Sequence, residues 1–327
     1  MKKFLAPTPV RLPLTFATPE EGIALVKKNE RDVDERLTAC AAAISAECVA
    51  HGVRVIRLSG PTCAGKTTTA EKLTEALEAA GRVVHPISID DFYYGRDILH
   101  RMADEKGHPD QLDYDSVKTI DLPALRKCVE ELMEKGATRI PIFNFKTGYP
   151  EGYRDLIVEE GEDPVFLFEG IQAVYPEVTA LFEGIPERSL FINVMQDTVL
   201  YDTEGRERVF TPDCIRLLRR LVRDEAKRGT SPDFTLTLWH SVRENEVNAI
   251  LPYAEACDYG IDSNMAFDIH MLAPHLRRIF AEQPCDGDEV AAEKRILAAI
   301  EGVEGISDEC LDENSLYHEF IPRHIIP

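Results

Sequence analysis

The sequence is short of positive charge. It sets 37 Lys and Arg against 58 Asp and Glu, for a formal net charge of −21 over 327 residues, and so acidic a chain lacks the basic face that nucleic acid or an anionic membrane surface requires. It also lacks any apolar run of bilayer length, and its first residues, MKKFLAP, carry no long apolar segment of the secretory kind. A cytoplasmic location is expected. The eight cysteines, at 40, 48, 63, 128, 214, 257, 285 and 310, include no C-x-x-C pair and no grouping with histidine, so neither a zinc centre nor a disulfide framework is expected. No Asn-Lys pair occurs, which removes the Asn-Lys-x-Asp element by which nucleotide switches read guanine. Hydrophobic residues make up 44% of the chain, enough for a substantial core in one large or two modest domains.

What is present centres on VRVIRLSGPTCAGKTTT, residues 53–69. The β-branched run Val53–Leu58 reads as a strand, and a helix is expected from Lys66. Between them Gly60, Gly65, Lys66 and Thr67 fit G-x-x-x-x-G-K-[ST], in which backbone N–H groups curl round phosphates, the lysine reaches the β/γ oxygens and the hydroxyl binds Mg²⁺. The two glycines suit tight turning and close approach to an anion, and the unpaired N–H groups of the first helical turn suit a polyphosphate. Gly60, Pro61, Thr62, Cys63, Ala64, Gly65, Lys66, Thr67 and Thr68 are therefore the expected ATP-binding residues, with Cys63 read as a tolerated small residue.

In chain order, residues 1 to about 30 give no periodic signal. Asp32 to about His51 reads as a packing helix with Val33, Leu37, Cys40, Ala41, Ile44 and Val49 on its apolar face. After the helix Lys66–Ala80, stopped by Gly81, a second strand, Arg82–Ile89, delivers Asp90 and Asp91 to a sheet edge where open α/β sheets hold ligands. Residues 95–114 read as a long polar connection without helix. A helix from about Asp121 to Gly136 precedes an extended segment, Arg139–Phe145, in which Pro141 suggests an edge or an irregularity. Val165–Phe168 reads as a central parallel strand that brings Glu169 to the same edge, where a carboxylate can hold a water of a Mg²⁺ shell. Leu190–Val194 is a further buried strand and Asp258–Asp262 a weaker one. Strands alternating with helices predict a P-loop-type parallel α/β sheet flanked by helices.

One basic island interrupts the acidic chain. Arg216, Arg219, Arg220, Arg223 and Lys227 recur at steps of three and four, along one face of a helix, while Ile215, Leu218 and Val222 can face the core. Clustered guanidinium groups suit transferring phosphoryl oxygens, as a closing lid would supply.

Together these stretches resemble the uridine kinase and phosphoribulokinase family of P-loop kinases, from about Arg54 to Phe280. The matching elements are Ser59-Gly60-Pro61, Ile87–Tyr93, Leu112-Asp113, Phe168–Ile171, Arg219–Asp224, Arg228-Gly229, Trp239–Arg243 and Asp262–Asn264. The resemblance implies ATP and Mg²⁺, with Asp90, Lys66 and Arg223 catalytic and Arg219 and Arg228 on the ATP phosphates. It also implies Thr67, Asp90 and Glu169 at the metal, and Asp113, Tyr93 and Phe143 on the acceptor. It departs where the base of a pyrimidine would be read: Phe143 and Gly148 stand in place of Tyr and His, and Asn144 in place of an acid. The implied activity is phosphoryl transfer to a hydroxyl of a small acceptor, a nucleoside of the uridine or cytidine kind or a sugar. A phosphoribulokinase-like sugar-phosphate kinase, or a nucleotide-binding regulatory protein without its own acceptor, are the alternatives. The expected organisation is an N-terminal extension (1–50), a kinase domain (51–282) with a lid at about 213–232, and a C-terminal helical extension (283–327). No nucleic-acid or membrane partner is expected, and a homo-oligomer is left open.

Overall fold

The computed structural model describes residues 1–6, 10–105 and 115–322. Its main sheet has six strands, all parallel: β1 (Lys2–Phe4), β3 (Val55–Ser59), β4 (Val83–Ser88), β7 (Pro164–Glu169), β8 (Glu187–Asn193) and β11 (Tyr259–Asp262). With β2 (Val10–Pro13), β5 (Ala137–Asn144), β6 (Tyr149–Ile157), β9 (Thr198–Tyr201) and β10 (Glu207–Phe210) outside it, the sheet runs in the order β1-β11-β8-β3-β7-β4. The strand that feeds the phosphate loop, β3, is thus central, with β7 and β8 beside it. The expected parallel α/β class is what the chain adopts.

Alternation along the central strands decides the layers. Ile56 and Leu58 of β3 and Val165 and Leu167 of β7 enter one core, against α1 (Pro19–His51) and α2 (Lys66–Ala79). Val55, Phe166 and Phe168 point the other way, into a second core. That side also holds α4 (Leu122–Lys135) and the hairpin of β5 and β6, while α3 (Arg96–Glu105) leads out from β4 and the single-turn α5 (Pro176–Thr179) follows β7. The first core continues through α6 (Pro212–Arg228) and, past α7 (Pro232–Asn245) and the single-turn α8 (Leu251–Ala254), through α9 (Asp268–Glu282) and α10 (Val290–Ala299).

Several expectations need correction. The packing helix starts at Pro19, not Asp32. It is 33 residues long, and the charged stretch Lys27–Glu35 hides its first half although Val26 and Glu30 are buried there. Val49 faces solvent. Near the N-terminus, where the sequence gives no periodic signal, Lys2–Phe4 form β1, which pairs with β11, and Val10–Pro13 form β2, which pairs with β9; strands this short are defined by their partners. The connection after Gly95 contains α3, and Arg139–Phe145 is one arm of a hairpin whose register shifts between Pro141 and Phe143, as a proline without a ladder donor requires. The terminal segments share the core of the kinase-like region: Ile44 of α1 and Leu316, Tyr317 and Phe320 near the C-terminus lie in one apolar cluster with Leu58 and Ala64.

Candidate active site

The loop between β3 and α2 is almost wholly buried; Lys66 and Thr68 are half-buried and Thr67 is exposed. Its glycines do different work. A Cβ on Gly60 would lie 2.2 Å from the Ile192 carbonyl oxygen of the neighbouring strand, so that position is fixed by the packing of β3 on β8 rather than by an anion. Gly65 has φ +94, the left-handed conformation that glycine alone adopts freely, and caps α2. Cys63 is left-handed too, at φ 57. Alternating hands of this kind turn successive N–H groups to one side, the concavity that binds anions. The Lys66 ammonium donates to the Pro61 carbonyl at 3.2 Å, bent back over its own loop. The Ser59 hydroxyl donates to Ile171 O at 2.7 Å and ties the loop's start to the turn after β7.

Two carboxylates emerge beside it. Glu169 ends β7 and is paired in register with Ser88 of β4, whose hydroxyl donates to Glu169 Oε1 at 2.7 Å. Gly170 follows because a Cβ there would meet Ile89 Cβ at 2.8 Å. Asp90 is the second residue of the single 3-10 turn after β4, Ile89–Phe92. Burial, with Glu169 adding to it, pushes its carboxyl up to about 7, while Lys66 pulls the other way. Glu169 is also raised by burial, against the Ser88 hydrogen bond and the Lys66 charge. Asp91 turns aside and accepts from Phe143 N at 3.3 Å, so the adjacent aspartates part company: one lies in the field of Lys66, the other anchors the hairpin.

Mg²⁺ is the ion the loop implies, and the donors fit it. Asp90 Oδ1 is shut off from solvent with no hydrogen-bond partner, an orphaned acceptor in the field of a second carboxylate, Glu169. Hard oxygen donors suit this cation, which keeps several waters and shares phosphate oxygens and so needs few protein ligands.

Of the residues expected on the acceptor, Tyr93 is buried, its hydroxyl 3.2 Å from Gln172 Nε2. Its ring lies 5.6 Å from that of Phe143 and 6.4 Å from that of Phe145. The Tyr175 hydroxyl donates to Asp115 O at 3.0 Å. The structure brings the rings of Tyr93 and Phe143 together; Asp113 lies outside the described residues. Ser88, Gln172 and Phe145 were missed, although Gln172, two residues beyond the Glu169-Gly170 pair, stands at the same strand edge. A cavity of about 620 Å³ opens between α4 and the hairpin, lined by Asp91, Cys128 and Tyr153 but by neither Lys66 nor Asp90.

The basic helix departs most from expectation. Arg219 is fully buried. Its Nε and one terminal nitrogen fork onto Asp268 at 2.7 Å each, and its other terminal nitrogen reaches Cys63 O at 3.4 Å. Every donor nitrogen points into the protein, so Arg219 stands behind the loop, not over the phosphates as a lid residue would. Arg216 is buried likewise, 2.5 Å from Glu246 and 3.2 Å from Thr62 O. Arg223 pairs with Asp224 at 2.7 Å, in the field of Cys63 and Glu319. Arg228 is exposed, 3.6 Å from Asp224. Helical spacing put the arginines on one face correctly; buried carboxylates on α9 and after α7 turn that face inward.

A glycine-bounded loop leaving a central parallel strand, a lysine at the helix start and carboxylates at neighbouring strand ends define a P-loop α/β fold. Residues 55–201 match the model of the Phosphoribulokinase / Uridine kinase family, so the resemblance carried by the motifs is borne out over that stretch. The chain is 26% identical over 242 residues to "Uridine-cytidine kinase A" of Dictyostelium discoideum, covering 72% of this chain and 42% of that protein. It is 27% identical over 177 residues to a "Uridine kinase" of Lactobacillus johnsonii, covering 54% of this chain and 70% of that one. Among solved structures, that of the YGR205w protein shares the fold at TM-score 0.50 and 15% identity, covering 68% of this chain and 91% of that one. Among the described residues no helix is long and apolar enough to cross a membrane.

Proposed function

We propose that the protein transfers the γ-phosphoryl group of ATP to a hydroxyl of a small acceptor, a nucleoside of the uridine or cytidine kind or a sugar. The observation that carries this reading is Asp90: a carboxyl just past a strand end, in the field of Lys66, with its Oδ1 orphaned and its pKa raised to about 7. That value matches a base working near neutral pH.

The N–H groups of residues 60–68 orient the phosphate tail, and Lys66 neutralises charge on its outer oxygens. Thr67, Asp90 and Glu169 would hold Mg²⁺, which when bound supplies further neutralisation of the phosphate oxygens. Asp90 accepts the proton of the acceptor hydroxyl as that oxygen bonds to the γ-phosphorus and the bond from γ-phosphorus to the β-bridging oxygen breaks, releasing ADP. Arg223 and Arg228, on the loop side of α6, meet the charge that develops. Tyr93, Phe143 and Phe145 offer the acceptor an aromatic wall with few polar contacts, which suits a planar or apolar face better than a base edge read by hydrogen bonds. Asp113 is proposed to bind acceptor hydroxyls.

The test is ADP release across a panel of nucleosides and sugars with Mg²⁺. Lys66→Ala and Asp90→Asn should each abolish it; turnover that survives Asp90→Asn overturns the assignment of the base.

A further inference from the structure

We propose that Arg219 is a positioning residue for the phosphate loop, and that Tyr317, near the C-terminus, acts through it. This deepens the reading above and rests on the loop binding a triphosphate.

The peptide plane supplies the reason. The carbonyl of Cys63 and the N–H of Ala64 belong to one rigid unit and point in opposite directions; the carbonyl of Thr62 and the N–H of Cys63 belong to the next. Whatever holds those carbonyls from outside the loop fixes where the N–H groups aim inside it. Arg219 donates to Cys63 O at 3.4 Å and Arg216 to Thr62 O at 3.2 Å. A cationic donor also polarises each peptide, which makes its N–H a better partner for an anion.

Arg219 can do this only if its guanidinium plane is itself held. Asp268 grips two of its nitrogens at 2.7 Å each and Ser263 O accepts from one of them at 2.9 Å. The Tyr317 hydroxyl donates to the same Asp268 Oδ1 at 2.8 Å, and the Phe320 ring lies 4.7 Å from the guanidinium carbon. All four side chains are buried. Leu316 closes the arrangement from the other side, its Cδ2 2.9 Å from where a Cβ on Gly65 would be. The turn at 315–320, far from the loop in sequence, thereby becomes part of the nucleotide site.

The experiment uses the full chain with a non-hydrolysable ATP analogue and Mg²⁺, by calorimetry, alongside KM values for ATP and acceptor and a melting curve. Tyr317→Phe removes one hydroxyl; Arg219→Lys keeps the charge but cannot hold the Asp268 fork and Cys63 O together. Each should weaken analogue binding by roughly three- to tenfold and leave the acceptor KM unchanged. The double variant should be no weaker than the worse single, because one residue works through the other. A lowered melting temperature with unchanged analogue affinity in Tyr317→Phe would reduce the contact to packing and overturn the proposal, as would effects that multiply in the double variant. If the unaltered chain ignores the analogue, the nucleotide reading itself falls.

Discussion

Ser88 donates its hydroxyl to Glu169 across the last registered pair of β4 and β7, so the two strands that carry the acidic residues are pinned at the point where they leave the sheet. This bond favours the charged form of a carboxyl whose pKa burial raises. Ser88→Ala should raise the Mg²⁺ concentration for half-maximal turnover by about three- to tenfold with little change in melting temperature. A Mg²⁺ activation curve identical to that of the parent chain would remove Glu169 from the metal.

Asp90 carries a pH dependence of definite sign. Its carboxyl titrates near 7 in the folded protein against an ordinary 3.8, and only the ionised form can take a proton. The acceptor kcat/KM should therefore fall as pH drops through about 7. Stability runs the opposite way: the folded state holds its proton more tightly, so the contribution is complete below 3.8 and is lost as pH rises through about 7. Asp90→Asn should then be inactive yet more stable than the parent at pH 8, by about 1–3 kcal/mol, with the gain vanishing at acid pH. Urea unfolding at the two pH values measures it; an Asn variant destabilised at pH 8 contradicts the charge balance described.

Two glycines should respond differently to alanine. At Gly60 the new methyl would stand 2.2 Å from Ile192 O, a collision with backbone that only separation of β3 from β8 relieves, and Gly60→Ala should cost more than about 3 kcal/mol and abolish analogue binding. At Gly184, φ is +82 with open space around it, and Gly184→Ala should cost only about 1 kcal/mol with binding intact. Equal losses in chemical denaturation would show that strand packing does not set Gly60.

Asp268 is buried under a fully buried guanidinium. Asp268→Ala strands that charge and should destabilise the protein by about 3–5 kcal/mol. Removal of an exposed partner, as in Glu255→Ala, which frees Lys3 from its 3.2 Å surface pair, should cost less than about 1 kcal/mol. Denaturant midpoints for the two variants decide it.

The loop, its flanking strand and helix, and strands β7 and β8 were legible because their signals are local: glycine spacing, a continuous apolar run, a carboxylate after it. Glu169 is legible as the last residue of its strand, and Asp90 as a carboxylate just past the end of β4. What could not be read depends on partners distant in the chain. β1 and β2 are too short to declare themselves without β11 and β9, the charges of Lys27–Glu35 conceal a helix whose other face is buried, and β6 exists because β5 turns back on it. The arginines of α6 look like a solvent-facing stripe until Asp268 and Glu246 are brought beneath them. Gly60 was recognised for the right motif and the wrong neighbour, since no sequence pattern announces the Ile192 carbonyl.

Leu316 resting against Gly65 has a bearing on how the protein is made. Synthesis runs from the N-terminus and early segments begin to fold first, yet the surroundings of residues 60–67 stay incomplete until residues 315–321 have emerged. On the proposed reading, nucleotide, which stabilises whatever state it binds by mass action, assists only chains in which residues 315–321 are already in place. ATP bound as proposed would act as a final latch on this fold rather than as a template for it.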